Sequence, residues 1–275
     1  MSGLLDEMRQ SSAERVRQAM RRESLGELER RARRTPPPPP LELSSSGFDV
    51  IAELKLRSPA AGVLKDSAHD WRARVAAYAR AGAAAVSVRT EPTRFDGSLE
   101  HLEEAARVLA PLGVPAMRKD FLVDPYQVLE ARAAGAGGVL VIVRMLSRAS
   151  AEALLDAAAG QGLFVLLEAF DAADLAEARL LLDRGVSRNG PVLIGINCRD
   201  LTSLEVEPRR FAELAPALPE GATAVAESGV ATAADAAAMR RLGYRAALIG
   251  TALMTRDDPT ALLAEILSAA RTVQP

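Results

Sequence analysis

Across 275 residues the chain holds one cysteine, two histidines and three lysines. The lone Cys198 excludes an intrachain disulfide and any site built from several cysteines. His69 and His101 both lie away from the ends of apolar, strand-like runs, so no histidine triad or metal site is expected. No apolar run reaches the roughly 18–20 residues that cross a bilayer. The first residues carry Asp6 and Glu7 where a signal peptide would be apolar. The expectation is a cytoplasmic protein with no membrane partner. A net charge of −2, with 25% charged residues, offers no basic surface for nucleic acid.

Scarcity makes the lysines informative. Lys55, Lys65 and Lys119 stand against thirty-one arginines. An ammonium can be tuned in pKa and can hand over a proton, which a guanidinium effectively cannot. Lys65 reads as a loop charge. Lys55 and Lys119 end the runs "FDVIAELK" and "VPAMRK", where a side chain leaves a sheet for a cleft.

Residues 3–33 are rich in Arg and Glu, with apolar positions at Leu4, Leu5, Met8, Val16, Met20, Leu25 and Leu28. That spacing predicts one or two amphipathic helices. The run Pro36–Pro40 stops a helix and reads as a stiff, extended linker. Residues 1–47 are therefore expected to form a helical extension with a proline-rich linker, ahead of a barrel at 48–275.

From residue 48 onward, β-branched runs recur near 48–54, 84–88, 114–117, 138–143, 163–168, 192–197, 223–227 and 246–250. Ala/Leu/Arg/Glu-rich stretches of helical periodicity lie between them, several ending in Gly. Strand alternating with helix predicts a parallel sheet. Eight units match the α/β class and a (β/α)₈ TIM barrel, typically about 250 residues. A doubly wound sheet would show G-x-G-x-x-G after a strand, and none does.

Chemistry on such a barrel belongs at the C-terminal ends of the strands. Those ends bring Glu53 and Lys55, then Arg89, Lys119, Glu168, Asn197 with Arg199, and Glu227 with Ser228 and Gly229. Ionisable groups on apolar strands are expensive to bury unless paired, so these form one compensating cluster. "AESGVAT" and "LIGTALM" place small residues after the last two strands, where backbone N–H groups can approach a phosphate. Ser58, in "RSPAAG", could add a hydroxyl.

Together these motifs resemble the indole-3-glycerol-phosphate synthase family. The likeness rests on "IAELKLRSPAAG", "FDGSLEHL", "MRKDFLVDPYQVLEARAAGA", "LLEAFDAADL", "IGINCRDLTSLEVE" and "VAESGV…LIGTALM". The helical extension also belongs to that pattern, and the likeness runs along essentially the whole chain. It implies conversion of 1-(2-carboxyphenylamino)-1-deoxyribulose 5-phosphate to indole-3-glycerol phosphate, water and CO₂. Neither cofactor nor metal is implied. Lys119 would be the general acid in ring closure and Glu168 the general base in dehydration. Glu53 and Lys55 would be catalytic or charge-positioning partners, and Asn197, Glu227 and Ser228 would line the substrate. Phosphate would sit against Ser58, Gly229, Gly250 and Thr251, with Phe95 and Arg199 at the aromatic end. A monomer is expected, with transient contact to other tryptophan-pathway enzymes.

Two lysines in one site should depress each other's pKa, with the glutamates opposing that shift. Arg89 departs from the family pattern, which usually has an apolar residue there. Its guanidinium is expected to pair with Glu53, to meet the substrate carboxylate, or to turn to solvent. Cys198, Ala60 and Ala61 are lesser departures. Phosphoribosylanthranilate isomerase shares this fold but uses an early Cys and an Asp, which this chain lacks at the matching strand ends. A non-catalytic sugar-phosphate-binding paralogue is the remaining alternative.

Overall fold

Eight parallel strands close on themselves in the computed structural model, which describes residues 3–45, 47–58, 62–63, 71–183, 190–200 and 203–274. They are β1 (Asp49–Leu54), β2 (Ala85–Arg89), β3 (Ala116–Lys119), β4 (Gly138–Ile142), β5 (Phe164–Ala169), β6 (Val192–Asn197), β7 (Thr223–Glu227) and β8 (Ala246–Ile249). β1 pairs with both β2 and β8, so no edge is left open. The chain is a (β/α)₈ barrel.

Side chains alternate across the barrel wall with the period of two that a strand imposes. Ile51, Ala85, Met117, Leu140, Phe164, Leu166, Leu193, Val225, Ala246 and Leu248 fill the interior. Phe164 lies low in that interior because Gly138 has no side chain; a Cβ there would sit 2.4 Å from its ring. The alternate residues, such as Val50, Val86, Val139, Leu167 and Ile194, pack outward against the helices. Several of those helices start on side-chain caps and are followed by left-handed glycines. Asp124 caps Pro125–Ala133 in a reciprocal box with Gln127, and Gly135 at φ 84 ends that helix.

Several strands run slightly differently from expectation. β3 spans 116–119, not 114–117, so Lys119 is on the strand and faces inward. β2 extends to Arg89, and β8 stops at Ile249 with Gly250 opening the short helix Thr251–Met254. The "RSPAAG" loop holds an antiparallel pair, Arg57–Ser58 with Gly62–Val63. Ala60, Ala61, Lys65 and His69 lie outside the described residues.

Helices α1 (Leu4–Arg22) and α2 (Leu25–Arg34) precede β1. Met8, Val16 and Leu28 are buried as their spacing predicts, but Met20 and Leu25 are 41% and 49% exposed and face away. α2 packs on the helix Pro125–Ala133 through Leu28, Ala32, Leu129 and Ala133. The proline run then lies against the barrel: a Cβ on Gly137 would meet Pro38 and Pro39 as well as Pro115.

α1 is fastened by a buried ionic knot. Asp120 accepts hydrogen bonds from Arg15 at 2.8 and 2.9 Å, from Thr90 at 2.7 Å and from Arg118 at 3.0 Å. Arg118 is almost fully buried and also donates to Glu130 and to the Gln127 carbonyl. Burial alone would raise the Asp120 carboxyl; Arg118 and Arg15 overturn that and hold it well below the usual range.

Candidate active site

Parallel strands all deliver their C-terminal ends to one face, and there a cavity of about 350 Å³ opens. Glu53, Lys55, Phe95, Lys119, Glu168, Asn197, Arg199, Glu227, Ser228, Gly229, Gly250 and Thr251 all line it. The remaining expected site residue is Ser58, whose side chain lies outside the described residues.

Lys119 is the centre. Its Nζ donates to Glu227 Oε2 at 2.7 Å and to Glu168 Oε2 at 3.0 Å, and all three side chains are buried. Burial disfavours its charge, but Glu168 and Glu227 prevail, and the ammonium pKa is raised. Glu168 is pushed up by burial and more strongly down by Lys119, so it stays ionised below the usual range. Glu227 goes the other way. Burial, then repulsion from Glu168, push it up to about 8, and its Oε1 has no hydrogen-bond partner among the described residues. One ammonium thus holds one carboxylate and one carboxyl that keeps its proton at neutral pH.

Glu53 forms a second group. Its Oε1 accepts from Arg89 Nε at 2.7 Å. Burial raises its pKa, yet Arg89, then Lys55 and Lys119, bring it to about 2. Lys55 donates to Thr251 Oγ1 at 3.2 Å. Its pKa is lowered, chiefly by burial, with Glu53 opposing and Arg89 and Arg199 adding repulsion. The two lysines therefore part company: the balance between mutual repulsion and the opposing glutamates, which the sequence leaves open, falls opposite ways at the two positions. Lys119 has two carboxyl partners within 3.0 Å, whereas Lys55 has none in ion-pair range among the described residues.

Local sequence explains the rest of the wall. Gly97 has no side chain where a Cβ would meet the Arg89 carbonyl oxygen at 2.3 Å. The segment Pro92–Phe95 can therefore fold back on the end of β2 and bring Phe95 beneath Arg89. Asn197 Oδ1 accepts from the Arg199 amide at 3.0 Å, and Arg199 Nη1 donates to the Leu204 carbonyl at 2.6 Å. After β7, Ser228 (φ 63) and Gly229 (φ 97) are consecutive left-handed residues. Gly250 is small for a second reason besides ligand approach: a Cβ there would lie 2.9 Å from Glu53 Oε2.

Leu4 and Leu5 of α1, together with Asp120, Phe121 and Phe170, also line the cavity and were not singled out by the sequence. Gly195 escaped notice too. Among the described residues no group of three or more His, Cys, Asp or Glu is placed to hold a metal ion. Nor is any helix of those residues long and apolar enough to cross a membrane.

A closed parallel barrel with an acid–base cluster at its strand ends defines a barrel of the enzyme kind. Comparison with known proteins specifies which. The profile of the family described as Indole-3-glycerol phosphate synthase matches residues 5–266. The chain belongs to that family. It is 41% identical over 268 residues to the indole-3-glycerol phosphate synthase of Parafrankia sp. (strain EAN1pec), covering 97% of this chain and 94% of that one. It is 42% identical over 246 residues to that of Saccharopolyspora erythraea, covering 88% and 87%. Among solved structures, 3-hexulose-6-phosphate synthase from Salmonella typhimurium superposes with a TM-score of 0.61 at 12% identity, over 82% of this chain and 99% of that one. That likeness concerns the fold alone.

Proposed function

We propose that this chain is a carbon–carbon lyase that closes the indole ring of 1-(2-carboxyphenylamino)-1-deoxyribulose 5-phosphate, releasing CO₂ and water. The observation that carries this reading is the Lys119 ammonium held between Glu168 and Glu227 inside a cavity sized for a small molecule.

In ring closure the aromatic carbon bearing the carboxylate attacks the ketone carbon. The C=O π pair moves to oxygen, and the developing alkoxide needs a cation and then a proton. A buried ammonium supplies both. Loss of CO₂ returns the electrons of the C–CO₂ bond to the ring and restores its aromaticity. Dehydration then removes a proton from the carbon beside the nitrogen as the hydroxyl leaves with another. Glu168, ionised by Lys119, is suited to be that base. Glu227 retains its proton to about pH 8 and lies 2.7 Å from Lys119, so it is suited to recharge the spent lysine. The small residues at 228–229 and 250–251 suit the phosphate, at the end of the cavity where Lys55 meets Thr251.

The isomerase alternative gains no support. Cys198 packs outside the barrel wall against Phe211 and neighbours, and burial pushes its thiol up to about 12. Incubating the purified chain with the carboxyphenylamino-deoxyribulose phosphate tests the reading directly. Growth of indole fluorescence is expected; a flat trace from folded protein would refute it.

A further inference from the structure

Arg89 ends β2 with its guanidinium over the face of Phe95, Cζ 4.1 Å from the ring centroid. Among the described residues its Nε donates to Glu53. Among the described residues nothing accepts a hydrogen bond from its two terminal nitrogens, and the side chain lines the cavity.

Two further cations share that wall. Lys55 turns to the Thr251 hydroxyl and Arg199 to the Leu204 carbonyl, both neutral acceptors. Among the described residues Glu53 is the single carboxylate ion-paired with any of these three. They are close enough to feel one another: after burial, repulsion from Arg89 is the main influence lowering Arg199. Three cations facing one carboxylate in a largely enclosed space leave a surplus of positive charge, and an anion from outside would relieve it.

We propose that Arg89 is a specificity-determining residue whose two terminal nitrogens receive the aryl carboxylate of the substrate, with Arg199 as the second cation of that subsite. This rests on the synthase reading above for the identity of the carboxylate. The geometry favours capture. Glu53 and the Phe95 ring fix the plane of the guanidinium before any ligand arrives, so little side-chain freedom is lost on binding. A guanidinium edge also matches a planar carboxylate with two parallel hydrogen bonds, which an ammonium or an apolar side chain cannot provide. The phosphate end is served separately, near Thr251, so the two anionic groups of the ligand reach different cations.

The test uses two ligands that cannot cyclise. One is the substrate with its ketone reduced to an alcohol; the other is the same compound without the ring carboxylate. Calorimetric titration compares the wild-type chain with Arg89→Leu and Arg89→Lys. The wild type should prefer the carboxylated ligand. Arg89→Leu should weaken that ligand roughly 10- to 100-fold while leaving the other nearly unchanged. Arg89→Lys should fall between, which guards against misreading a Leu variant disturbed by its unpaired Glu53. Equal weakening of both ligands in both variants, or no weakening, overturns the proposal. Turnover of the true substrate by the wild type is measured alongside. If turnover is absent yet the carboxylate preference depends on Arg89, the synthase reading fails and the anion subsite stands. If turnover is present without that preference, the subsite alone is wrong.

Discussion

Oε1 of Glu227 occupies the space that a side chain at Gly195 would need: a Cβ on Gly195 would lie 2.0 Å from it. The two residues sit on neighbouring strands, with Gly195 paired to Val225 and Asn197 to Glu227. The glycine on β6 is what lets a carboxyl on β7 lie inside the barrel and reach Lys119.

Gly195→Ala should therefore cost activity in spite of its modest size. In an ordinary strand position with negative φ, the change would stabilise by about 0.4–1 kcal/mol, through a less flexible unfolded chain. Here the methyl must displace the Glu227 carboxyl, so kcat should fall by roughly 10²-fold or more, the lower end of what general acid–base groups contribute. Steady-state kinetics beside a far-ultraviolet dichroism spectrum check this. Unchanged kcat in a folded variant would show that Glu227 can work from elsewhere.

Glu227 also links stability to pH. Burial and Glu168 raise its carboxyl from the usual 4.5 to about 8. Between those values the folded chain binds a proton that the unfolded chain has released, so stability falls as pH rises across the window. Below about pH 4.5 that contribution is fully present. Glu53, held at about 2, stays ionised throughout and does not alter the slope. Glu227→Gln carries no such proton, and its urea midpoint should vary less than that of the wild type from pH 5 to pH 8. Parallel pH trends in the two proteins would place the proton elsewhere.

Lys119→Arg keeps the charge between Glu168 and Glu227 but not an acidic proton that can be given up. A loss of roughly 10²- to 10⁴-fold in kcat is expected, the contribution typical of a general acid. Near wild-type kcat would reduce Lys119 to an electrostatic role.

Removing Asp120 should be costly for stability. Asp120→Ala strips Arg15 of its one carboxylate partner among the described residues, and Arg118 of one of its two. Breaking a buried pair from one side costs about 3–5 kcal/mol. Arg15→Ala should cost less, because the Arg15 side chain is 24% exposed and Asp120 keeps Arg118 and Thr90. Urea unfolding of both variants measures the order; a larger loss for Arg15→Ala would contradict this account of the knot.

Much of this was legible in one dimension. Period-two strands alternating with glycine-ended helices predict the barrel, and the barrel rule says which end of each strand carries chemistry. Lys119 stood out because lysine is rare here. Its neighbours were harder to read. "RKD" at 118–120 looks like a surface run, and no local pattern says that Arg118 faces a helix layer roofed by Arg15. Leu4 and Leu5 register as apolar positions, but a period cannot say that they reach a cavity whose other walls come from eight strands. The opposite shifts of Lys55 and Lys119 depend on distances of a few ångströms to particular carboxylates, which spacing does not encode. Met20 and Leu25 show the converse, apolar residues that helical periodicity marks yet that stay about half exposed.

The knot between Arg15 and Asp120 joins residues 105 positions apart. Helix α1 is synthesised first, yet its anchor does not exist until β3 has been made and lies in place. Nascent chains grow at about 5–20 residues per second, so α1 waits several seconds for its partner. Its apolar stripe of Leu4, Leu5, Met8 and Val16 is uncovered meanwhile. The six acidic and nine basic residues between positions 3 and 34 keep the unattached segment compatible with water during that interval. Docking of α1 then brings Leu4 and Leu5 to the wall of the cavity.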